Sequence, residues 1–169
     1  MTVIFILGGA RSGKSRRAQA LCEALSLKRI YIATGQAFDV EMEDRIKRHQ
    51  QDRDESWTTV EAPLDLVKAV ETHAEPDNVV LIDCLTLWLS NLMHRERDIV
   101  LETANLIEAL SLASGNIILV SNEVGLGLVP ETPLGRAFRD EQGRLNQKIA
   151  AMADKVEFIA AGLPLSLKG

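Results

Sequence analysis

The chain has 169 residues, of which 46% are hydrophobic and 25% are charged. This composition is typical of a globular protein and excludes the fibrous and disordered classes. The formal net charge of −5 comes from 24 acidic and 19 basic residues. Because the two signs are mixed along the chain, we expect no basic surface that would attract nucleic acid or anionic lipid.

Two features of the sequence bear on location. Cys22 and Cys84 lack CxxC spacing, and the first residues do not read as a secretory leader. A reduced, cytoplasmic environment is therefore expected. The longest apolar runs are far shorter than the ~20 residues of a membrane-spanning helix, so we expect buried strands and no membrane span.

Taken in chain order, short apolar runs alternate with segments of helical periodicity. Predicted strands cover residues 3–7, 29–33, 57–61, 79–82, 117–120 and 156–160, and predicted helices cover residues 13–25, 39–51, 64–72, 85–93, 99–112 and 134–152. This alternation predicts an α/β protein with a mainly parallel sheet and helices on both faces. No repeat, low-complexity tract or linker divides the chain, so residues 1–169 are expected to form a single domain.

A glycine-rich segment between the first predicted strand and helix matches the pattern GxxxxGK[ST]. Its residues are Gly8, Gly9, Ala10, Arg11, Ser12, Gly13, Lys14 and Ser15. In such a loop, backbone N–H groups surround phosphate oxygens and the helix N-terminus adds positive potential. We expect Lys14 to reach the β and γ phosphates and the Ser15 hydroxyl to hold Mg²⁺. The alternative, a chance glycine-rich turn, is disfavoured by the flanking strand and helix.

In a protein with a phosphate loop, we expect a metal-binding acidic residue at the end of a neighbouring buried strand. Asp83 follows the apolar run 79–82 and is the candidate. By local sequence alone it could equally be a helix cap, since an Asp before an apolar periodic segment is a common helix start. The phosphate loop favours the metal role. No Asn-Lys-x-Asp segment for reading guanine is present, which disfavours a signalling GTPase.

Six ordered segments together resemble a known family over almost the whole chain. They are residues 8–15, residues 31–36, residues 45–49 leading to Trp57, residues 83–86 with 88–91, residues 122–125 with 129–130, and residues 138–140 with 143–147. The chain resembles the bifunctional adenosylcobinamide kinase/adenosylcobinamide-phosphate guanylyltransferases of cobalamin biosynthesis. The resemblance implies a P-loop NTPase fold of RecA-like type, assembled as a homotrimer.

The resemblance also implies two reactions on a corrinoid. A nucleoside triphosphate phosphorylates the aminopropanol hydroxyl of adenosylcobinamide, and GMP is then transferred from GTP to adenosylcobinamide phosphate, giving adenosyl-GDP-cobinamide and pyrophosphate. The first reaction leaves ATP and GTP open as the donor. The second passes through a guanylylated histidine, which by position is His49. The residues that border the nucleotide by the same positional match are Thr34, Gly35, Gln36, Gln50, Gln51, Asp52, Arg53, Glu61 and Asp83.

The role implied for His49 is chemically sound. A neutral imidazole, with an ordinary pKa of ~6.5, is a competent nucleophile near neutral pH. Among the nearby basic residues, Arg53 is the preferred partner for a triphosphate. The alternative for a histidine on a charged helix is a solvated surface side chain.

Two other functions remain open. A small-metabolite kinase would use the same loop for γ-phosphoryl transfer without a covalent intermediate, and only His49 separates it from the bifunctional enzyme. A non-catalytic regulator would hold a nucleotide through Lys14 and Ser15 to switch a partner surface.

Overall fold

The computed structural model describes residues 1–36 and 55–169, and its centre is a seven-stranded sheet. The strands are β1 (Val3–Gly8), β2 (Lys28–Ala33), β3 (Trp57–Glu61), β4 (Asn78–Asp83), β5 (Asn116–Asn122), β6 (Lys155–Ala160) and β7 (Leu163–Lys168). Their order across the sheet is β3-β2-β4-β5-β1-β6-β7. Strands β1 to β6 run parallel, and β7 pairs antiparallel with β6.

Helices cover both faces of the sheet, which confirms the predicted fold class. They are α1 (Lys14–Glu23), α2 (Leu66–His73), α3 (Leu85–His94), α4 (Ile99–Leu112) and α5 (Pro133–Met152). Ala18 and Cys22 of α1 belong to one core cluster, whereas the buried leucines and Trp88 of the other four helices belong to the cluster on the opposite face. The helix predicted for residues 39–51 lies outside the described residues.

The central strands are apolar along their whole length because both of their faces are covered. In β4, the four residues from Val79 to Ile82 have no exposed surface. Val79 and Leu81 pack on the side of α1, and Val80 and Ile82 pack on the side of the other helices. The same alternation decides which side chains at each strand end face α1.

Helix α2 begins two residues later than predicted. The carbonyl of Pro63 accepts a hydrogen bond from Asn91 Nδ2 at 2.9 Å, and the carbonyl of Leu64 accepts one from Trp88 Nε1 at 3.1 Å. Because α3 engages these two carbonyls, they are not available to the first turn of a helix, and the chain bends at Pro63 and Leu64 before the helix starts at Leu66.

Strand β7 was not predicted from the sequence. The chain reverses at Ala161 and Gly162, whose φ angles of 51° and 81° form a tight two-residue hairpin turn. Asn-Gly or Asp-Gly is the usual signal for such a turn, and Ala-Gly is a weak one. Every residue of β7 is exposed, including Leu163 and Leu165. Among the helices described, none has both the length and the apolarity needed to cross a bilayer.

Candidate nucleotide-binding site

The described site residues predicted from the sequence all lie at or just after the carboxyl ends of parallel strands, which meet at one edge of the sheet. The phosphate loop, residues 8–15, follows β1, and residues 34–36 follow β2. Glu61 ends β3 and Asp83 ends β4. Four strand spacings separate Glu61 from Gly8, a lateral distance of roughly 19 Å at ~4.8 Å per strand. Glu61 therefore lies far along this edge from the phosphate loop.

The phosphate loop has the close backbone approaches that its glycines permit. Gly8 is buried with a φ of 156°, and a Cβ added there would lie 2.5 Å from the Ile159 carbonyl oxygen and 2.7 Å from Ser12 Oγ. Gly13 has a φ of 102° and forms the N-cap of α1. Since other residues rarely adopt that conformation, glycine is required at Gly13 by the backbone and at Gly8 by space.

Several groups of the loop suit a bound phosphate. Among the residues described, no side chain caps the N-terminus of α1, so the N–H groups of its first turn have no capping acceptor there. Lys14 is 7% exposed, and its Nζ donates to the Gly9 carbonyl at 2.6 Å. Ser12 Oγ is buried and has no hydrogen-bond partner in the part of the chain described. A buried hydroxyl without a partner is costly, and a phosphate oxygen would satisfy it.

The β6–β7 hairpin contacts the phosphate loop, and the sequence did not predict this contact. The Gly162 N–H donates to the Ser12 carbonyl at 2.9 Å. Beside it, Arg17 of α1 makes two hydrogen bonds to the Glu157 carboxylate of β6, at 2.8 and 2.7 Å. These bonds lower the pKa of Glu157 and raise that of Arg17. The start of α1 is therefore tied to the adjacent strand as well as to its own.

Asp83 is held in place by Thr34. The Thr34 hydroxyl donates to the Cys84 carbonyl at 2.7 Å and accepts from the Cys84 N–H at 2.8 Å, and the Asp83–Cys84 peptide bond is cis. Asn91 Nδ2 in turn donates to the Thr34 carbonyl at 2.8 Å. Both partners of the hydroxyl are thus protein groups, so Thr34 fixes the end of β4. Its direct contact with a nucleotide stays a prediction, as do those of Gly35 and Gln36.

Asp83 and Ser15, the predicted ligands of Mg²⁺, carry the oxygen atoms that this cation prefers. Both side chains are half-buried, and Asp83 lies on the α1 side of the sheet by its alternation with Leu81. Within the ranges described, no group of three or more His, Cys, Asp or Glu side chains could hold a metal. Mg²⁺ is commonly held by one or two carboxylates together with substrate phosphates and water, so this sparse oxygen set fits it. Burial raises the pKa of the adjacent Cys84 thiol to about 11, which leaves it neutral.

The β5–α5 connection rises from the same edge and exposes aliphatic side chains. The Glu123 carboxylate accepts hydrogen bonds from the N–H groups of Gly125 and Leu126, which pins the start of the connection. Leu126 and Leu128 are 84% and 96% exposed, and Val129 is also exposed.

Five predicted site residues are not among those described. The predicted nucleophile His49 and the nucleotide-bordering residues Gln50, Gln51, Asp52 and Arg53 lie outside the described ranges.

The chain matches proteins of known class over nearly its full length. Residues 4–167 match the family model for cobinamide kinase / cobinamide phosphate guanyltransferase. The bifunctional adenosylcobalamin biosynthesis protein CobP of Pseudomonas aeruginosa is 49% identical over 166 residues, which cover 97% of this chain and 96% of that protein. The bifunctional adenosylcobalamin biosynthesis protein CobU of Escherichia coli is 40% identical, with 98% and 99% covered.

Two solved structures share the fold at low sequence identity. The P4 protein of bacteriophage phi6, solved in complex with ADP, superposes with a TM-score of 0.51 at 14% identity and covers 97% of this chain and 54% of its own. A Pyrococcus horikoshii protein, PH0250, gives a TM-score of 0.57 at 10% identity and covers 99% of this chain and 86% of its own. These likenesses support the P-loop NTPase type of fold.

Proposed function

Because the chain belongs to the cobinamide kinase / cobinamide phosphate guanyltransferase family and is an enzyme of that kind, we propose that it catalyses two successive reactions on a corrinoid. It phosphorylates adenosylcobinamide with a nucleoside triphosphate. It then transfers GMP from GTP to adenosylcobinamide phosphate, which gives adenosyl-GDP-cobinamide and pyrophosphate.

The observation that carries the proposal is the complete phosphate loop at the same edge of the sheet as Asp83, which ends the strand two places away. In the kinase reaction, the aminopropanol oxygen bonds to the γ phosphorus, the bond from that phosphorus to the bridging oxygen of the nucleoside diphosphate breaks, and the hydroxyl proton is released to water. Lys14 and the first-turn N–H groups of α1 face the charge on the phosphate oxygens. Mg²⁺, held by Ser15 and Asp83, supplies further neutralisation of that charge when bound.

In the second reaction, His49 is the proposed nucleophile. Its imidazole nitrogen bonds to the α phosphorus of GTP as pyrophosphate leaves, and the phosphate of the corrinoid then displaces the histidine. Arg53 is the proposed partner of the leaving pyrophosphate. Residues 34–36 and 50–53 together with Glu61 are proposed to border the GTP. GTP is the proposed substrate of the second step, and the donor of the first step is open between ATP and GTP.

The connection of residues 125–133, called the acceptor loop, is the proposed binding surface for the corrinoid. The chain enters it next to the phosphate loop, since the N–H of the preceding residue Glu123 donates to the Gly8 carbonyl at 2.9 Å. It also offers the apolar side chains of Leu126 and Leu128, which match the hydrophobic faces of a large macrocycle. We further propose a cytoplasmic homotrimer, on the family resemblance.

Labelled nucleotides test the two reactions separately. Purified protein is incubated with Mg²⁺, adenosylcobinamide, ATP and GTP, and the label is carried either at the α phosphate of GTP or at the γ phosphate of both nucleotides. The proposal predicts corrinoid product labelled from both positions. Label from the γ position alone would indicate the simple kinase, and label from neither, with nucleotide still bound, would indicate the regulator.

A matched pair of lysine variants ties the result to the phosphate loop. Lys14→Ala is expected to lower γ-label transfer by at least about 100-fold, because it removes a cation from the transferred phosphate. Lys28→Ala changes an exposed lysine at the start of β2, at the opposite edge of the sheet, and is expected to keep wild-type transfer. Equal activity of the two variants would contradict the proposed site.

A further inference from the structure

Glu123 lies between the phosphate loop and the acceptor loop and has no part in the nucleotide and metal sites proposed above. It directly follows β5, whose neighbours in the sheet are β1, which leads into the phosphate loop, and β4, which ends at Asp83. Its N–H donates to the Gly8 carbonyl at 2.9 Å, so the parallel pairing of β5 with β1 extends one residue past the end of the strand. The backbone of Glu123 is therefore fixed where the phosphate loop begins.

The two oxygens of the Glu123 carboxylate differ in their contacts. Oε1 accepts hydrogen bonds from the N–H groups of both Gly125 and Leu126, the first two residues of the acceptor loop. Oε2 makes no hydrogen bond or ion pair to the residues described. The side chain is half-buried, so the carboxylate is held at one oxygen and has an open acceptor position at the other.

The contact with the acceptor loop does not require a carboxylate. Two N–H groups that share one oxygen need only that oxygen, and a glutamine side chain would supply it equally well. A carboxylate adds a negative charge at the edge of the sheet where the phosphates of the nucleotide are proposed to bind. Like charges repel, so this charge opposes nucleotide binding. The role of the residue in holding the loop therefore leaves its charge unexplained.

The other carboxylates at the described strand ends have different positions. Glu61 ends β3, four strand spacings from Gly8, and Asp83 lies on the α1 side of the sheet as the proposed ligand of Mg²⁺. Only Glu123, of these three, contacts the acceptor loop, which is the proposed binding surface for the corrinoid. Within this part of the chain, Glu123 is thus the carboxylate placed to meet the acceptor hydroxyl beside the phosphate loop.

We propose that Glu123 is a catalytic residue of the kinase step and that its Oε2 accepts the proton of the aminopropanol hydroxyl. Before the transfer, the hydrogen bond from the hydroxyl to Oε2 directs the acceptor oxygen toward the γ phosphorus. As the new O–P bond forms and the bond to the bridging oxygen breaks, the proton moves to Oε2, and Glu123 then releases it to water. This role rests on the proposed kinase activity.

The role applies to only one of the two proposed reactions. The acceptor in the kinase step is a neutral hydroxyl, which must lose a proton. The acceptor in guanylyl transfer is the phosphate of adenosylcobinamide phosphate, and a phosphate monoester is already an anion near neutral pH, so it needs no base. A residue that merely holds the acceptor loop would support both reactions, whereas a proton acceptor is needed in the first alone.

Glu123→Gln tests the role, because glutamine retains one oxygen for the two N–H groups and replaces the other with an amide NH2 that takes up no proton. The two rates are measured separately, as γ-label transfer to adenosylcobinamide and as α-label transfer from GTP to adenosylcobinamide phosphate. The variant should lower kcat of the first by about 100-fold, and should change its KM for adenosylcobinamide and the rate of the second by less than about 3-fold. Glu108→Gln, an exposed change on α4, is the matched control and should keep wild-type rates.

Glu123→Ala removes the loop contact as well as the proton acceptor, so it should lower both rates. A glutamine variant that transfers γ label as fast as wild type would overturn the role of Glu123 and leave the kinase proposal standing. Equal losses in both reactions, or a loss of γ-label transfer that lies in KM alone, would also overturn it, because they indicate a structural residue. If wild type transfers no γ label, the proposed kinase fails and the role of Glu123 fails with it. If wild type performs no guanylyl transfer, the division of the γ-label effect between kcat and KM decides.

Discussion

The hydroxyl of Thr34 offers the sharpest test of how the edge of the sheet is built. Thr34 is fully buried, and its hydroxyl both accepts from the Cys84 N–H and donates to the Cys84 carbonyl. Thr34→Val keeps the shape and removes both bonds. The carbonyl retains a second donor, the Trp88 N–H at 3.2 Å, so the main loss is the orphaned Cys84 N–H. Leaving a buried donor unsatisfied and losing the second bond should lower the free energy of unfolding by about 2–3 kcal/mol.

Thr34→Ser is the matched control, because it keeps the hydroxyl and loses one buried methyl group, a cost of about 1 kcal/mol. Urea unfolding followed by circular dichroism gives both values. Nucleotide binding in the presence of Mg²⁺ should also weaken in the valine variant, since Thr34 holds the peptide that follows Asp83. A valine variant at least as stable as the serine variant would refute the reasoning.

Three further outcomes follow from the contacts described. Glu157→Gln should lower the free energy of unfolding by about 0.5–1 kcal/mol at neutral pH, because it removes the ion pair with Arg17; Glu108→Gln is the exposed control. Since the ion pair lowers the pKa of Glu157, the difference between the two variants should disappear as the pH falls below 4.5. Burial raises the pKa of the Cys84 thiol from 9.0 to about 11 and that of the Cys22 thiol from 9.0 to about 12. Unfolding therefore releases protons above pH 9, and the free energy of unfolding should fall between pH 9 and 11. A thiol reagent should label neither cysteine in the folded protein at pH 8. Leu128→Ser should change the free energy of unfolding by no more than about 0.5 kcal/mol, since Leu128 is 96% exposed. It should raise the KM for adenosylcobinamide several-fold and leave nucleotide binding unchanged. An unchanged KM would contradict the proposed binding of the corrinoid at the acceptor loop.

The strands and the phosphate loop could be predicted because their signals are local. A strand buried on both faces needs a continuous apolar run, as in residues 79–82, and the loop needs its glycines and Lys14 at fixed spacing. Because the carboxyl ends of parallel strands meet at one edge of the sheet, Asp83 can also be predicted to lie at the edge that carries the phosphate loop.

The supporting contacts could not be predicted because they join residues far apart in the chain. Asn91 reaches back 57 residues to the Thr34 carbonyl, and Gly162 meets the Ser12 carbonyl through a strand that the sequence did not indicate. A residue type states what can donate or accept, but only the packing of the helices on the sheet decides its partner. Thr34 shows the difference: it lies just after β2 at the predicted edge of the sheet, but its hydroxyl is bonded to Cys84, and its contact with a nucleotide stays a prediction.

The most direct test of the proposed guanylyl transfer is covalent labelling of the protein. Wild type and His49→Ala are incubated with Mg²⁺ and GTP labelled at the α phosphate, quenched, and tested for bound label that is labile to acid and stable to base, as a phosphoramidate is. His73→Ala, an exchange elsewhere in the chain, is the control. Label on wild type and His73→Ala, but not on His49→Ala, is the predicted result. Absence of label from all three while nucleotide remains bound, or label retained by His49→Ala, would contradict the guanylyl-histidine intermediate.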